Sequence, residues 1–407
     1  MLAKAEEWPG TLIDGRSLGF RPDLSRPRKR CGVGIRVETR GESGQKPTRL
    51  MESLRRAYAG KRVFITGHTG FKGSWLCEWL LGLGAEVWGY SLPPPTRRAL
   101  FAQLGLAGRV RHLAGDVREP QALARAVRRC RPHFVFHLAA QPIVRASYVD
   151  PAETWGINAM GTAHLLDALR GLPSPCAAVI VTTDKVYADA SRPQREDGIL
   201  GGKDPYSASK AAAELAVASW RESFFSEPGS CALASARAGN VIGGGDWASD
   251  RLLPDCARAL ARGEPVEVRN PGSIRPWQHV LDPLGGYLML GAELHRAIGS
   301  RARRAELCGA FNFGPAGRDH RPVRAVIAEV FKHWPGRWRR QVEARAPAET
   351  AILLLDIGKA RRVLGWRPRW GFAEAIERTT VWYRDASPRT AAKLTRRQLA
   401  EHASALP

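Results

Sequence analysis

Residues 61–73 read Lys61-Arg62-Val63-Phe64-Ile65-Thr66-Gly67-His68-Thr69-Gly70-Phe71-Lys72-Gly73. A run of strand formers meets three glycines in G-x-x-G-x-x-G spacing, and an apolar helical stretch from Trp75 to Leu83 follows. Strand, glycine turn and helix in that order are the context in which such glycines hold a dinucleotide. Gly67 permits the tight turn. Gly70 and Gly73 let the backbone approach a pyrophosphate, and the unpaired N–H groups at the helix start favour an anion. Gly67, Thr69, Gly70, Phe71 and Gly73 are therefore candidate cofactor contacts.

Working outward, strands and helices alternate. Strands are expected at Glu86–Tyr90, near Val110–Leu113, at Phe134–Leu138, Ala178–Val181 and Ala232–Ala236. Helices are expected around Leu100–Leu104, over Pro120–Cys130, around Asn158–Leu169 and from Tyr206 to about Glu222. The pattern predicts an α/β fold: a Rossmann-type doubly wound parallel sheet with right-handed crossovers. Past Gly239 the alternation loosens into Gly/Pro-rich loops, read as a smaller C-terminal α/β substrate lobe closed by a helix at Phe372–Tyr383. The expected domains are 57–239 for the dinucleotide and 240–385 mainly for substrate, partly interleaved with the first. A polar, frayed tail is expected at 386–407. Residues 1–56 read as an extension outside the fold, rich in Gly, Pro, Arg and Ser, with Met51 as an alternative start.

Composition narrows the classes. The chain has 407 residues, 44% hydrophobic and 25% charged, as in ordinary enzymes. No apolar run approaches the ~18 residues of a membrane span. Glu6, Glu7 and Asp14 interrupt any signal-peptide core, so a cytoplasmic location is expected. Seven cysteines without a C-x-x-C pair read as reduced thiols; no disulfide framework and no metal site is expected. The net charge of +23 sits on helical arginine stretches such as Arg125, Arg128, Arg129 and Arg131, without interleaved aromatics. They read as solvated helix faces, with electrostatic capture of an anionic small substrate as the second reading, and not as a nucleic-acid platform.

Two acid–base pairs carry the chemistry. Tyr206-Ser207-Ala208-Ser209-Lys210 puts a phenol and an ammonium one helical turn apart on one face. A phenol is a poor base near neutrality, and an adjacent ammonium with an oxidised nicotinamide favours its anion. Thr182-Thr183-Asp184-Lys185-Val186-Tyr187 follows an apolar strand, so its side chains emerge at the carboxyl edge of the sheet. Asp184 can protonate a departing hydroxyl, and Lys185, if neutral, can take a carbon-bound proton. Two such pairs at one nicotinamide predict a reaction that oxidises, eliminates water and reduces again. Asp116, ending the third strand, is a candidate acceptor for the adenine amino group. The second strand ends Tyr90-Ser91-Leu92 without the usual ribose carboxylate, and Arg97 and Arg98 lie nearby, so these residues leave NAD and NADP both open.

The glycine spacing resembles that of extended short-chain dehydrogenases/reductases. The resemblance sharpens over Lys61–Leu76, Gly89-Tyr90-Ser91-Leu92, His137-Leu138-Ala139-Ala140-Gln141-Pro142, Thr183–Tyr187 and Asp204–Lys210. It extends to Arg237–Trp247, Arg275-Pro276-Trp277-Gln278-His279-Val280 and Leu364-Gly365-Trp366-Arg367-Pro368. From about 57 to 385 the chain resembles the CDP-glucose 4,6-dehydratases, in which Lys replaces the Glu of the Asp-Glu couple common in other 4,6-dehydratases. That resemblance implies NAD, because the family's own second strand is similar to Gly-Tyr-Ser-Leu. It implies that Tyr206, with Lys210 and Thr183, takes the C4 hydroxyl proton as hydride passes from C4 to NAD. Lys185 then removes the C5 proton, Asp184 protonates the C6 hydroxyl, water leaves, and hydride returns to C6. It also implies cofactor contacts at Val117, Leu138, Ala139 and Ala140, and a supporting role for Asn158. Asn158, with Gln141, Asn240, Arg251 and Arg275, makes up the expected substrate-binding set, the arginines facing the diphosphate of CDP-glucose. A homo-oligomer, dimer or tetramer, is expected through helical faces. The rivals are an epimerase or dehydratase for another nucleotide sugar and a catalytically silent dinucleotide sensor.

Overall fold

Val63, Phe64 and Ile65 are all apolar, and a strand can bury every side chain only if both faces of its sheet are covered. A computed structural model of the chain, describing residues 48–94, 96, 98–189, 192–341 and 353–405, has that arrangement. Val63 and Ile65 enter one apolar core with Trp75, Leu76 and Leu288, whereas Phe64 enters the opposite one with Val135, Leu166 and Ile180. Strands β1 (Arg62–Thr66), β2 (Glu86–Ser91), β3 (Arg111–Ala114), β4 (Phe134–His137), β5 (Ala177–Val181) and β6 (Ala232–Ala238) join Ala310–Phe313 in one seven-stranded sheet. Every neighbouring pair is parallel. The spatial order is β3, β2, β1, β4, β5, β6 and Ala310–Phe313, so the winding direction reverses between β1 and β4. A doubly wound sheet opens its ligand crevice at the carboxyl ends of the strands beside that reversal.

The glycine turn sits there for steric reasons. Gly67 has φ +74°, and a Cβ added to it would lie 2.6 Å from the backbone nitrogen of Ala139. A Cβ at Gly73 would lie 2.2 Å from the carbonyl oxygen of Gly67. Only bare backbone lets the helix α2 (Phe71–Gly82) start so close to the strand ends.

Beyond Gly239 the chain makes short pairings, Val241–Ile242 with Gln278–His279, Ile274–Pro276 with His320–Pro322, and Val266–Val268 with Trp338–Arg340. It then returns through the buried helix Leu281–Ala297 to add the seventh strand. The described residues belong to one compact unit, with no physical break at position 239.

Two expected boundaries need correction. The extension expected at 1–56 overlaps an ordered helix, α1 (Arg49–Tyr58), whose Thr48 hydroxyl accepts from Met51 N. Leu54 and Tyr58 are buried, and the Tyr58 hydroxyl donates to Leu288 O at 2.7 Å. The spacing Leu50, Leu54, Tyr58 is an apolar stripe masked in composition by neighbouring arginines. Residues 1–47 lie outside the described residues. The tail expected to be frayed contains a helix, Ala391–Ser404, with Leu394, Thr395, Gln398 and His402 buried. Its polar residues go inside because each finds a partner. Trp382 Nε1 donates to Thr395 Oγ1 at 3.1 Å, and His402 Nε2 lies 2.9 Å from Asp282 Oδ1. On the outside, Arg396 Nε reaches Glu78 Oε1 at 2.7 Å.

Candidate active site

A cavity of about 1350 Å³ occupies the predicted crevice. Typical sites for one small ligand are roughly 300–1,000 Å³, so two ligands can lie side by side. The cavity collects Gly67, Thr69, Gly70, Phe71 and Gly73 from the turn, Asp116 and Val117 after β3, and Leu138, Ala139 and Ala140 after β4. It also collects Thr183, Asp184 and Lys185 after β5, Tyr206 and Lys210 from the helix Pro205–Phe224, and Asn240, Arg251 and Arg275 from the second half of the chain. Arg251 Nη1 lies 3.2 Å from Asp246 Oδ2, and Arg275 is buried with Nη1 donating to Ile274 O. Asp116 Oδ2 is held by Arg118 at 2.6 Å. Trp277 is buried, with its indole N–H donating to Arg321 O. Arg97 lies outside the described residues, and Arg98 stacks its guanidinium over Trp247.

Gln141 and Asn158 stand apart from this set. The Gln141 side chain turns to its own surroundings, Nε2 donating to Thr154 Oγ1 and Oε1 accepting from Ile143 N. Asn158 is fully buried in a single wider turn of π-type hydrogen bonding, Gly156–Met160. Its amide grips the backbone of Gln141 from both sides, Oδ1 accepting from N and Nδ2 donating to O, and also donates to Ser209 Oγ. Neither side chain is among those lining the cavity. Asn158 instead ties the loop after β4 to the Tyr206 helix.

A second chain of bonds reaches the same turn. Burial and the nearby Lys210 lower the His137 pKa to about 3, so its ring is neutral. The Ala139 N–H donates to Thr66 Oγ1, which can donate to His137 Nδ1 at 2.7 Å. His137 Nε2 can then donate to Thr162 Oγ1, which donates to Asn158 O. One polarity runs throughout, pinning the ends of β1 and β4 where a dinucleotide must lie.

The reacting groups have matching electrostatics. Asp184 is buried; Oδ1 accepts from the Thr183 hydroxyl at 3.0 Å, and among the described residues Oδ2 has no hydrogen-bond partner. Burial raises its pKa, opposed by Lys185, Thr183, Arg275 and Lys72, so its proton persists to higher pH than on an ordinary carboxyl. Burial also pushes the Tyr206 phenol up to about 12, while the Thr183 hydroxyl pulls it down. Lys210 Nζ donates to Val181 O at 3.2 Å, and burial brings its pKa down to about 8 against the pull of Glu214. Burial thus favours the neutral form of both the phenol and the carboxyl in the free protein.

Residue reasoning missed the support beneath. Glu214, one turn after Lys210, receives Arg237 through two parallel bonds of 3.0 Å, Ser235 Oγ at 2.6 Å, and the hydroxyl of Thr182. Arg237 Nη1 continues to Tyr187 Oη, which donates to Asn312 Oδ1. Both ends of the Thr182–Tyr187 segment are thereby fastened to the helix carrying Tyr206 and Lys210. Only the residue types were visible in the sequence, since the partners are 23 positions apart. Lys72 was also passed over, although it stands inside the glycine motif.

The turn fits a dinucleotide: a cradle that any Cβ would fill, closed by helical N–H groups. Among the described residues no group of three His, Cys, Asp or Glu could hold a metal ion. No described helix is long and apolar enough to cross a membrane.

A seven-stranded doubly wound sheet with Tyr-x-x-x-Lys at the crevice defines an extended short-chain dehydrogenase/reductase. More narrowly, the chain belongs to the GDP-mannose 4,6-dehydratase family, whose model matches residues 64–379. It is 43% identical to the CDP-glucose 4,6-dehydratase of Salmonella typhimurium over 80% of this chain and 91% of that protein. Among solved structures it resembles the dTDP-glucose 4,6-dehydratase of Streptomyces venezuelae with NAD bound, at 25% identity and TM-score 0.68, covering 80% of this chain and 97% of that one. It also resembles the UDP-glucose 4-epimerase of Thermus thermophilus in complex with NAD, at 27% identity and TM-score 0.67, covering 80% and 100%.

Proposed function

We propose that this enzyme converts CDP-glucose to CDP-4-keto-6-deoxyglucose and water with bound NAD. The observation that carries the reading is the buried Asp184, its Oδ2 without a hydrogen-bond partner among the described residues, next to Lys185 and in the same cavity as Tyr206 and Lys210. An epimerase has no use for a proton donor beside the oxidising pair. When bound, NAD accepts hydrogen from C4 and returns it at C6. Tyr206 takes the C4 hydroxyl proton, with the Lys210 ammonium and the Thr183 hydroxyl offsetting the developing charge. The 4-keto group acidifies C5, Lys185 removes that proton, and Asp184 delivers its own to the C6 hydroxyl. The bond from C6 to oxygen breaks as the C5–C6 double bond forms, and the proton is restored at C5 when C6 is reduced.

The 43% identity to a CDP-glucose enzyme favours the cytidine nucleotide. The test is incubation with CDP-, dTDP-, UDP- and GDP-linked hexoses in deuterated water. CDP-glucose should lose water without added reductant and carry one solvent deuteron at C5. Net accumulation of reduced cofactor, or preferential turnover of another nucleotide sugar, would overturn the assignment.

The reading carries a cytoplasmic location, which the free thiols of Cys77, Cys130, Cys176 and Cys256 fit. It also carries a homo-oligomer. The helices Pro151–Trp155, Gly161–Arg170 and Pro205–Phe224, with the turn Gly156–Met160, pack side by side and expose Trp155, Met160, Leu215 and Phe224. Large exposed apolar side chains on packed helices of this kind are the usual material of an association surface. Met160→Asp with Leu215→Asp should reduce the mass seen by light scattering to that of one chain. An unchanged mass would exclude this face.

A further inference from the structure

Lys72 lines the cavity half-buried, and among the described residues no side chain forms a hydrogen bond or ion pair with it. It stands in the first turn of α2, just behind the N-cap Gly70, where helical N–H groups already present positive charge and a cation is disfavoured. No acidic residue accompanies it in that turn. Arg251 and Lys210 add their positive fields, Asp184 and Asp246 oppose them, and Asp246 is already engaged by Arg251. An ammonium at the unfavourable end of a helix, among other cations and facing an open cavity, lacks an anion.

We propose that Lys72 Nζ binds a diphosphate oxygen of a nucleotide held in this cavity, between the reacting couple and Arg251. The proposal rests on the reading above, which supplies two sources of one chemistry. One is the pyrophosphate of the dinucleotide on the Gly67–Gly73 turn; the other is the diphosphate of the sugar nucleotide near Arg251 and Arg275. Burial first, then Arg251 and Lys210, bring the ammonium's pKa in the free protein down to about 7. An adjacent diphosphate would raise it, so above about pH 7 binding takes up a proton, and affinity rises as pH falls toward about 7 and levels off below it. Both ligands are diphosphate diesters with no titrating oxygen near that pH, so the slope belongs to the protein.

The test compares wild type, Lys72→Met and Lys72→Arg in two arms over roughly pH 6 to 8. One arm is the dissociation constant of NAD; the other is kcat and KM for CDP-glucose at saturating NAD. In Lys72→Met one arm should weaken about tenfold or more, by the usual strength of a charge-assisted bond. Lys72→Arg should recover most of it, and the pH slope in that arm should vanish in both variants, because neither methionine nor a guanidinium titrates over this range. The arm that moves identifies the source. If both constants in Lys72→Met stay within about twofold of wild type, or the slope survives the substitution, the proposal is overturned. Should the wild type turn over a different nucleotide sugar, that sugar takes the second arm. The base assignment then falls while Lys72 is still decided.

Discussion

Asp184→Asn is expected to lower dehydration of CDP-glucose by about 10²–10⁴-fold, the usual worth of a positioned general acid. The amide matches the carboxyl in shape, so the Thr183 contact to Oδ1 can persist, but no proton is available for the C6 hydroxyl. Burial raises the Asp184 pKa, so the wild-type carboxyl still holds its proton at a pH where an ordinary one has lost it. Activity that depends on that proton falls as pH rises through the raised value, and the asparagine variant loses this limb. Lys185 is intact in the variant, so the C5 proton should still exchange. Sugar nucleotide recovered from deuterated water should carry deuterium at C5 faster than water is lost. Lys185→Met should abolish both exchange and elimination. If Asp184→Asn turns over within a few-fold of wild type, the acid is another group.

Glu214→Leu is expected to cost about 3–5 kcal/mol, because it leaves the Arg237 guanidinium buried without its carboxylate. Ser235 and Thr182 lose their acceptor at the same time. Against a total stability of roughly 5–15 kcal/mol this threatens the folded state itself. The midpoint of urea unfolding should fall sharply. Adding Arg237→Met should restore much of the loss, since an apolar pair can replace a buried ion pair at little net cost. A single substitution costing under about 1 kcal/mol would mean that water or a neighbour already satisfies Arg237.

The sheet was legible because its strands are continuous apolar runs and its turns carry glycine, both local signals. The candidate acid–base pairs were legible because each sits within one short segment, Asp184 beside Lys185 and Tyr206 one turn before Lys210. What escaped was pairing across sequence distance. Nothing in the string says that Glu214 meets Arg237, or that Asn158 turns away from the cavity to hold Gln141. Composition misled at both ends. Arginines hid the stripe of α1, and polar side chains that are buried in Ala391–Ser404 looked solvated until Trp382 and Asp282 supplied partners.

The crevice lies between β1 and β4, and the groups that pin it, Thr66 and His137, are 71 positions apart. Closing so long a loop comes at an entropic disadvantage that no local contact offsets, and parallel pairing across it is slow. Two complete strand and helix excursions must be docked before the nucleotide has anywhere to go. During synthesis β1, β2 and β3 are therefore expected to stand as a half-sheet with an open edge until β4 docks, and bound cofactor is expected to favour only the steps that follow.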